Sequence, residues 1–137
     1  MSIANLDDLK KSIDAFNRRF KGPEIAELKL TEPYDIVRDH PMKWPSAESK
    51  GVYCLLDDER NLLYIGKASW KSYIGNRLGA HLTSDSKKPW TSIDAKSKGA
   101  RFIVTVPLAD EHAFMASALE EWLVTELKPE RNVIPRR

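Results

Sequence analysis

Two β-prone runs, Gly51-Val52-Tyr53-Cys54-Leu55-Leu56 and Asn61-Leu62-Leu63-Tyr64-Ile65, are separated only by the polar stretch Asp57-Asp58-Glu59-Arg60. So short a polar gap between two such runs reads as an antiparallel hairpin. A third run, residues 101–106, reads as a strand ended by Pro107. Around these strands the periodicity is helical. Leu6, Leu9, Ile13, Phe16 and Phe20 follow spacings of three and four, which predicts an amphipathic helix. Asn5 is its expected cap, Asp7 and Asp8 fall in its first turn, and Gly22-Pro23 closes it. Ile74, Leu78 and Leu82 predict a short helix over residues 72–82. Asp110 is expected to cap a last helix over about residues 111–127, which Pro129 stops. The order helix, β, β, helix, β, helix predicts an α/β fold, a small three-stranded antiparallel sheet flanked by helices.

The 137 residues suffice for one domain with a short extension. Residues 1–46 are expected to be that extension: the N-terminal helix, then a connector rich in proline (Pro23, Pro33, Pro41, Pro45) with one helical turn near residues 24–28. Tyr34 and Trp44 would dock it on a main domain over residues 47–137, and the extension could also receive a protein partner. The 42% hydrophobic and 31% charged residues fit a soluble globular chain rather than a disordered tail. The single cysteine, Cys54, excludes an internal disulfide framework and a multi-cysteine zinc site, and suits a reducing compartment. No run approaches 18 apolar residues, so no membrane partner is expected, and the acidic N-terminus does not read as a secretory signal. The expected address is cytoplasmic.

Charge is unevenly spread. Net charge is +2, yet residues 60–101 carry nine basic groups against Asp85 and Asp94, while residues 1–46 balance eight against eight. A local positive patch on a near-neutral protein fits either a polyanion-binding face or a solvated lysine-rich loop.

Three groups of residues could carry chemistry. On the last helix Met115, Leu119, Trp122 and Leu123 form an apolar stripe, and Glu120 falls on a flank with Ala116, Leu123, Val124 and Leu127. A carboxylate there either reaches water at the rim or must be paired, hydrogen-bonded or metal-bound. Arg77 and His81, four residues apart, share one face of the expected short helix. Arginine offers a planar fork for phosphate oxygens and histidine can shuttle a proton; an ordinary surface arginine beside a half-buried histidine would look the same. Tyr53 and Tyr64 on the hairpin are core aromatics by default. A phenol titrates near pH 10, so as a general base it would need a nearby cation or metal-bound water.

Taken together these residues resemble the GIY-YIG nuclease family over about residues 50–133. The first signature stands as Gly51-Val52-Tyr53, with valine for isoleucine, and the second intact as Tyr64-Ile65-Gly66, followed by Lys67. Arg77 resembles the family's helical arginine, and His81 the histidine that some restriction-enzyme members carry after it. Ala118-Leu119-Glu120-Glu121-Trp122-Leu123 resembles the segment with the metal-binding glutamate. Lys128-Pro129-Glu130-Arg131-Asn132-Val133 resembles the closing segment of repair-incision members, and its register selects Glu120 rather than Glu121.

The resemblance implies a metal-dependent endonuclease that hydrolyses DNA phosphodiester bonds. Glu120 would hold one Mg²⁺ or Mn²⁺, and Arg77 would bind the phosphate and its transition state. Tyr53 is the first choice to activate the attacking water, helped by Tyr64, Lys67 or His81, with the division between the tyrosines open. Asn132 would orient a tyrosine, a phosphate or backbone. Lys87, Lys88, Lys96, Lys98 and Arg101 would neutralise phosphates, and Trp90 would stack on a base or anchor its loop. One site with one ion implies a nick, with structure-selective or weak sequence specificity; oligomeric state is left open. The alternative is a catalytically inactive DNA- or protein-binding module on the same scaffold.

Overall fold

The computed structural model of the chain describes residues 3–23, 26–84 and 89–132. Its elements are α1 (Leu6–Phe20), β1 (Tyr34–Asp35), β2 (Lys50–Leu56), β3 (Leu62–Ala68), α2 (Ile74–Gly79), β4 (Leu82–Thr83), β5 (Thr91–Ser92), β6 (Phe102–Leu108) and α3 (Met115–Leu127). Short 3-10 turns occupy Asp110–His112 and Glu130–Asn132. The fold is mixed α/β, as the element order predicts. Its main sheet runs β1-β6-β2-β3, every pair antiparallel, and β4 with β5 forms a separate ribbon.

The sheet is covered on both faces. Strand β2 is central, and its side chains alternate between two cores. Val52, Cys54 and Leu56 meet Leu9, Ile13 and Phe16 of α1 with Leu119 and Leu123 of α3. Tyr53 and Leu55 meet Ile74 and Leu78 of α2, together with Tyr34, Ile36 and the half-buried Trp44 and Trp90. Cys54 lies wholly inside, and burial pushes its thiol above the ordinary range, as suits a packing residue.

Residues 1–46 are woven into these cores. Asn5 caps α1 through a reciprocal pair with Asp8, both bonds 3.0 Å. The buried Asn17 side chain then holds both backbone groups of Leu28, at 2.8 and 3.0 Å.

Several elements differ from the sequence reading. The connector supplies a fourth strand: β1 is two residues long, too short for any periodicity, and pairs Tyr34 with Ile103 and Asp35 with Phe102. Residues 26–28 are not helical, because Asn17 captures Leu28 in an extended form, while Glu24 and Ile25 lie outside the described residues. Helix α2 stops at Gly79, so Leu82 belongs to β4. Pro107 does not end its strand: it sits opposite Gly51, past the two residues that β1 covers, so its missing N–H faces no neighbouring strand. Asp110 opens a 3-10 turn, and α3 begins only at Met115.

Arg101 and Asp35 fasten β6 to the connector. The guanidinium donates to both carboxylate oxygens, at 2.7 and 3.0 Å, and Val37 and Arg38 add backbone N–H donors. The Arg101 hydrogen bonds hold the buried Asp35 carboxyl well below its usual range against the pull of burial. A depressed folded value means that this stabilisation is complete above the unfolded value, about pH 4, and fades as pH falls below it. Arg101→Gln is therefore expected to lower stability at neutral pH, with the gap to wild type in urea titrations closing below about pH 4.

Candidate active site

Tyr53 projects from β2 directly opposite Gly66 on β3. A Cβ on Gly66 would overlap Cζ and Oη of the Tyr53 ring, so the ring lies in the space that glycine leaves open. Tyr53 is 0% exposed, and a buried phenol needs a hydrogen-bond partner. Its Oη stands 2.8 Å from Nε2 of His81. His81 in turn places Nδ1 2.6 Å from Oδ2 of Asp94. The other Asp94 oxygen receives the backbone N–H and hydroxyl of the fully buried Ser97, at 2.9 and 2.6 Å. The result is a chain of phenol, imidazole and carboxylate, buried at Tyr53 and His81 and partly exposed at Asp94, drawn from β2, the segment after α2 and the loop after β5.

Electrostatics bind this chain to three more side chains. Burial raises the Tyr53 phenol well above its ordinary value; Tyr64 adds to the rise, Arg77 opposes it, and Glu120 contributes a further push upward. Glu120, half-buried on α3, is itself raised by burial and drawn back by the charges of Lys67 and Arg77. Among the described residues its carboxylate accepts no hydrogen bond. Lys67 Nζ donates to Ser117 Oγ at 2.9 Å, which ties β3 to α3 one turn before Glu120. Tyr53, Arg77, Glu120 and Lys67 thus form one electrostatic neighbourhood beside edge strand β3. Arg77 and His81 do not share a helical face: α2 ends before His81, which turns inward while Arg77 is exposed.

Asn132 contacts backbone rather than a tyrosine. Its Oδ1 accepts from Ile65 N–H at 2.8 Å and its Nδ2 donates to Ile65 C=O at 2.7 Å. One side chain therefore substitutes for a neighbouring strand at the open edge of β3. Nearby, Arg131 donates to the carbonyls of Lys96 and Lys98, at 3.1 and 2.5 Å, and the Lys96 ammonium lies 5.2 Å from the Tyr64 ring centre.

The expected phosphate contacts divide. Lys96 and Lys98 are exposed. Lys87 and Lys88 lie outside the described residues. The Arg101 guanidinium is engaged by Asp35. Trp90 is an anchor: its indole N–H donates to the Tyr34 hydroxyl at 3.1 Å and its ring packs 4.3 Å from that of Trp44. Two features escaped the sequence reading. Asp94 and Ser97 sit in an aperiodic loop, where the only signal is Asp-x-x-Ser, a spacing that favours a local turn. Trp70, next to Lys71 in the β3–α2 turn, is 80% exposed with φ of 60°.

The site thus gathers the chain of Tyr53, His81 and Asp94 with the half-buried Glu120, and comparison with known proteins adds a relative. UvrABC system protein C of Helicobacter pylori strain J99 is 33% identical over 93 residues, 66% of this chain. Those residues span only 15% of that protein's length. No family profile matches the chain, and no solved structure matches it.

The Gly66–Tyr53 overlap yields a sharp expectation. Gly66→Ala should cost about 1–3 kcal/mol in chemical denaturation, the range for overpacking a filled core. Combined with Tyr53→Val, the same alanine should cost little, so a double-mutant cycle should show strong coupling.

Proposed function

We propose that the chain is a metal-dependent endonuclease of the GIY-YIG type that hydrolyses DNA phosphodiester bonds, nicking one strand per site. What supports this most is the 2.8 Å contact of Tyr53 Oη with His81 Nε2, in a neighbourhood that both Arg77 and Glu120 act upon. The identity with UvrABC system protein C and the motif resemblance favour the same nuclease reading.

Glu120 fits a hard divalent ion. It is a half-buried carboxylate with no hydrogen bond among the described residues, and Mg²⁺ or Mn²⁺ commonly takes one or two carboxylates and fills its other positions with waters and substrate phosphate. Such an ion, when bound, offsets charge on the phosphate and on the leaving oxygen. The remaining work falls to the chain. Arg77 binds the non-bridging phosphate oxygens and stabilises the more highly charged transition state. Tyr53 Oη accepts a proton from the attacking water while passing its own proton to His81 Nε2. The water oxygen forms a bond to phosphorus as the ester P–O bond breaks, and the leaving oxygen takes up a proton from bulk water. A phenol raised by burial is a poor free phenolate, so a coupled acceptor is what makes it a usable base. Lys67 adds positive charge beside Glu120, and Asn132 keeps β3 in place. Lys96 and Lys98 offer phosphate contacts, and the exposed Trp70 is a better stacking platform for an unpaired base than the anchored Trp90.

One observation favours a second division of labour. Tyr53 is fully buried, whereas Tyr64 is 8% exposed, with its ring centre 5.5 Å from that of His81. In that reading Tyr64 meets the water and Tyr53 relays.

The experiment is single-turnover nicking of a substrate panel (duplex, flap, fork, single strand) with Mg²⁺ or Mn²⁺. Glu120→Ala is expected to abolish metal-dependent cleavage, and Arg77→Ala to slow it about 10²–10³-fold. Binding without cleavage by wild type across the panel would overturn the assignment in favour of an inactive binding module. Tyr53→Phe is expected to slow cleavage about 10²–10⁴-fold, the range for a positioned base, and a larger loss in Tyr64→Phe would select the second division.

A further inference from the structure

We infer that Asp94 is a positioning residue for this chemistry, fixing the ring of His81 so that Nε2 is the acceptor for the Tyr53 proton. The inference rests on the nuclease reading above for its consequence, and on geometry alone for its cause.

The direction of each hydrogen bond in the chain follows from Asp94. An ionised carboxylate only accepts, so the contact of 2.6 Å to Nδ1 requires that Nδ1 carry the proton. In the neutral ring Nε2 is then a lone pair, and the contact of 2.8 Å requires the Tyr53 hydroxyl to be the donor. Asp94 is itself held in one orientation. Its Oδ1 receives both donors of Ser97, leaving Oδ2 for the imidazole. The Ser97 hydroxyl also lies 3.0 Å from the His81 carbonyl, and Ile93 N–H donates to the same carbonyl at 2.8 Å. The loop over residues 93–97 is therefore laced to both backbone and ring of His81. Burial pushes the Asp94 carboxyl up, but the hydrogen bonds from Ser97 and His81 outweigh it and keep the group below its ordinary value.

The other groups facing the imidazole are Tyr53 from β2 and Tyr64 from β3, with ring centres 5.7 and 5.5 Å away. Arg77 acts on the Tyr53 phenol from α2, and Lys96 lies over Tyr64. None of these is a second anion that could hold a proton on Nδ1. Among the described residues Asp94 supplies that, and it also stabilises the imidazolium formed when Tyr53 passes its proton on.

Asp94→Asn isolates this role. Ser97 N–H stays aimed at the position of Oδ1, so the amide oxygen turns toward Ser97 and the NH₂ group toward His81. That forces the opposite tautomer, with Nε2 protonated and unable to accept from Tyr53. In a serine protease triad the equivalent change leaves geometry intact and costs about 10⁴-fold. His81 here is one step removed from the water, so a loss of at least ~10-fold is expected, within the range of positioned proton transfer.

The test uses the full chain, labelled with ¹⁵N on histidine, and the nicking assay in parallel. Wild type should show the proton of neutral His81 on Nδ1, and Asp94→Asn should show it on Nε2 with melting behaviour preserved and the nicking rate reduced. Asp94→Glu should restore the wild-type tautomer and part of the rate. A wild-type proton on Nε2 would overturn the inference without need of any variant, as would an Asp94→Asn protein that keeps both tautomer and rate. Wild-type protein that shows the expected tautomer yet cuts nothing on the panel overturns the nuclease reading instead.

Discussion

A phenol held wholly inside the protein must find a hydrogen-bond partner there, and the rest of this structure is arranged around that demand. Tyr53 stands on the central strand with strands on either side, so its ring has room only because Gly66 presents no Cβ across the ladder. Its hydroxyl then fixes where His81 must be, which fixes the end of α2 and draws the loop of Asp94 and Ser97 inward. Burial makes the free phenolate costly, and in the proposed reaction the adjacent imidazole would take the proton. Packing and chemistry here have one cause.

The second organising constraint is the open edge of β3. A bare edge strand is a hazard in any sheet; here the backbone of residues 4–6 covers the start of β3, with Leu62 N–H donating to Ala4 C=O at 2.7 Å, and a side chain covers its middle. Asn132 pairs with both backbone groups of Ile65, as Asn17 does with Leu28. The Lys67–Ser117 contact adds a brace to α3. Among the described residues no fifth strand extends the sheet here, and Glu120 and Arg77 act on the same phenol from different elements. Side chains held on strands and helix ends keep tighter geometry than side chains on loops.

Much of this was legible before any coordinates. The hairpin, the outer helices and the capping of α1 follow from local patterns, which report directly on strands and helices. Glu120 stood out as a carboxylate on an apolar flank, and it is half-buried there. The failures share one origin, since each depends on contacts between distant segments. Strand β1 exists because Arg101 and the backbone of β6 recruit Asp35 and Tyr34. Pro107 continues its strand because β1 is too short to need its N–H. Arg101 pairs with Asp35, 66 residues away, a contact that no local pattern reports. Asp94 counted as one of two negative charges in a basic stretch, and only its approach to His81 gives it meaning.

The central claim is that the ion held by Glu120 would sit beside the phenol cluster. Paramagnetic broadening by Mn²⁺ tests this most directly, followed in NMR spectra of the full chain with a short DNA duplex present. The account predicts that signals of Lys67, Tyr64 and His81 broaden first and that Glu120→Ala removes the effect. Broadening centred elsewhere, or unchanged by Glu120→Ala, would contradict it.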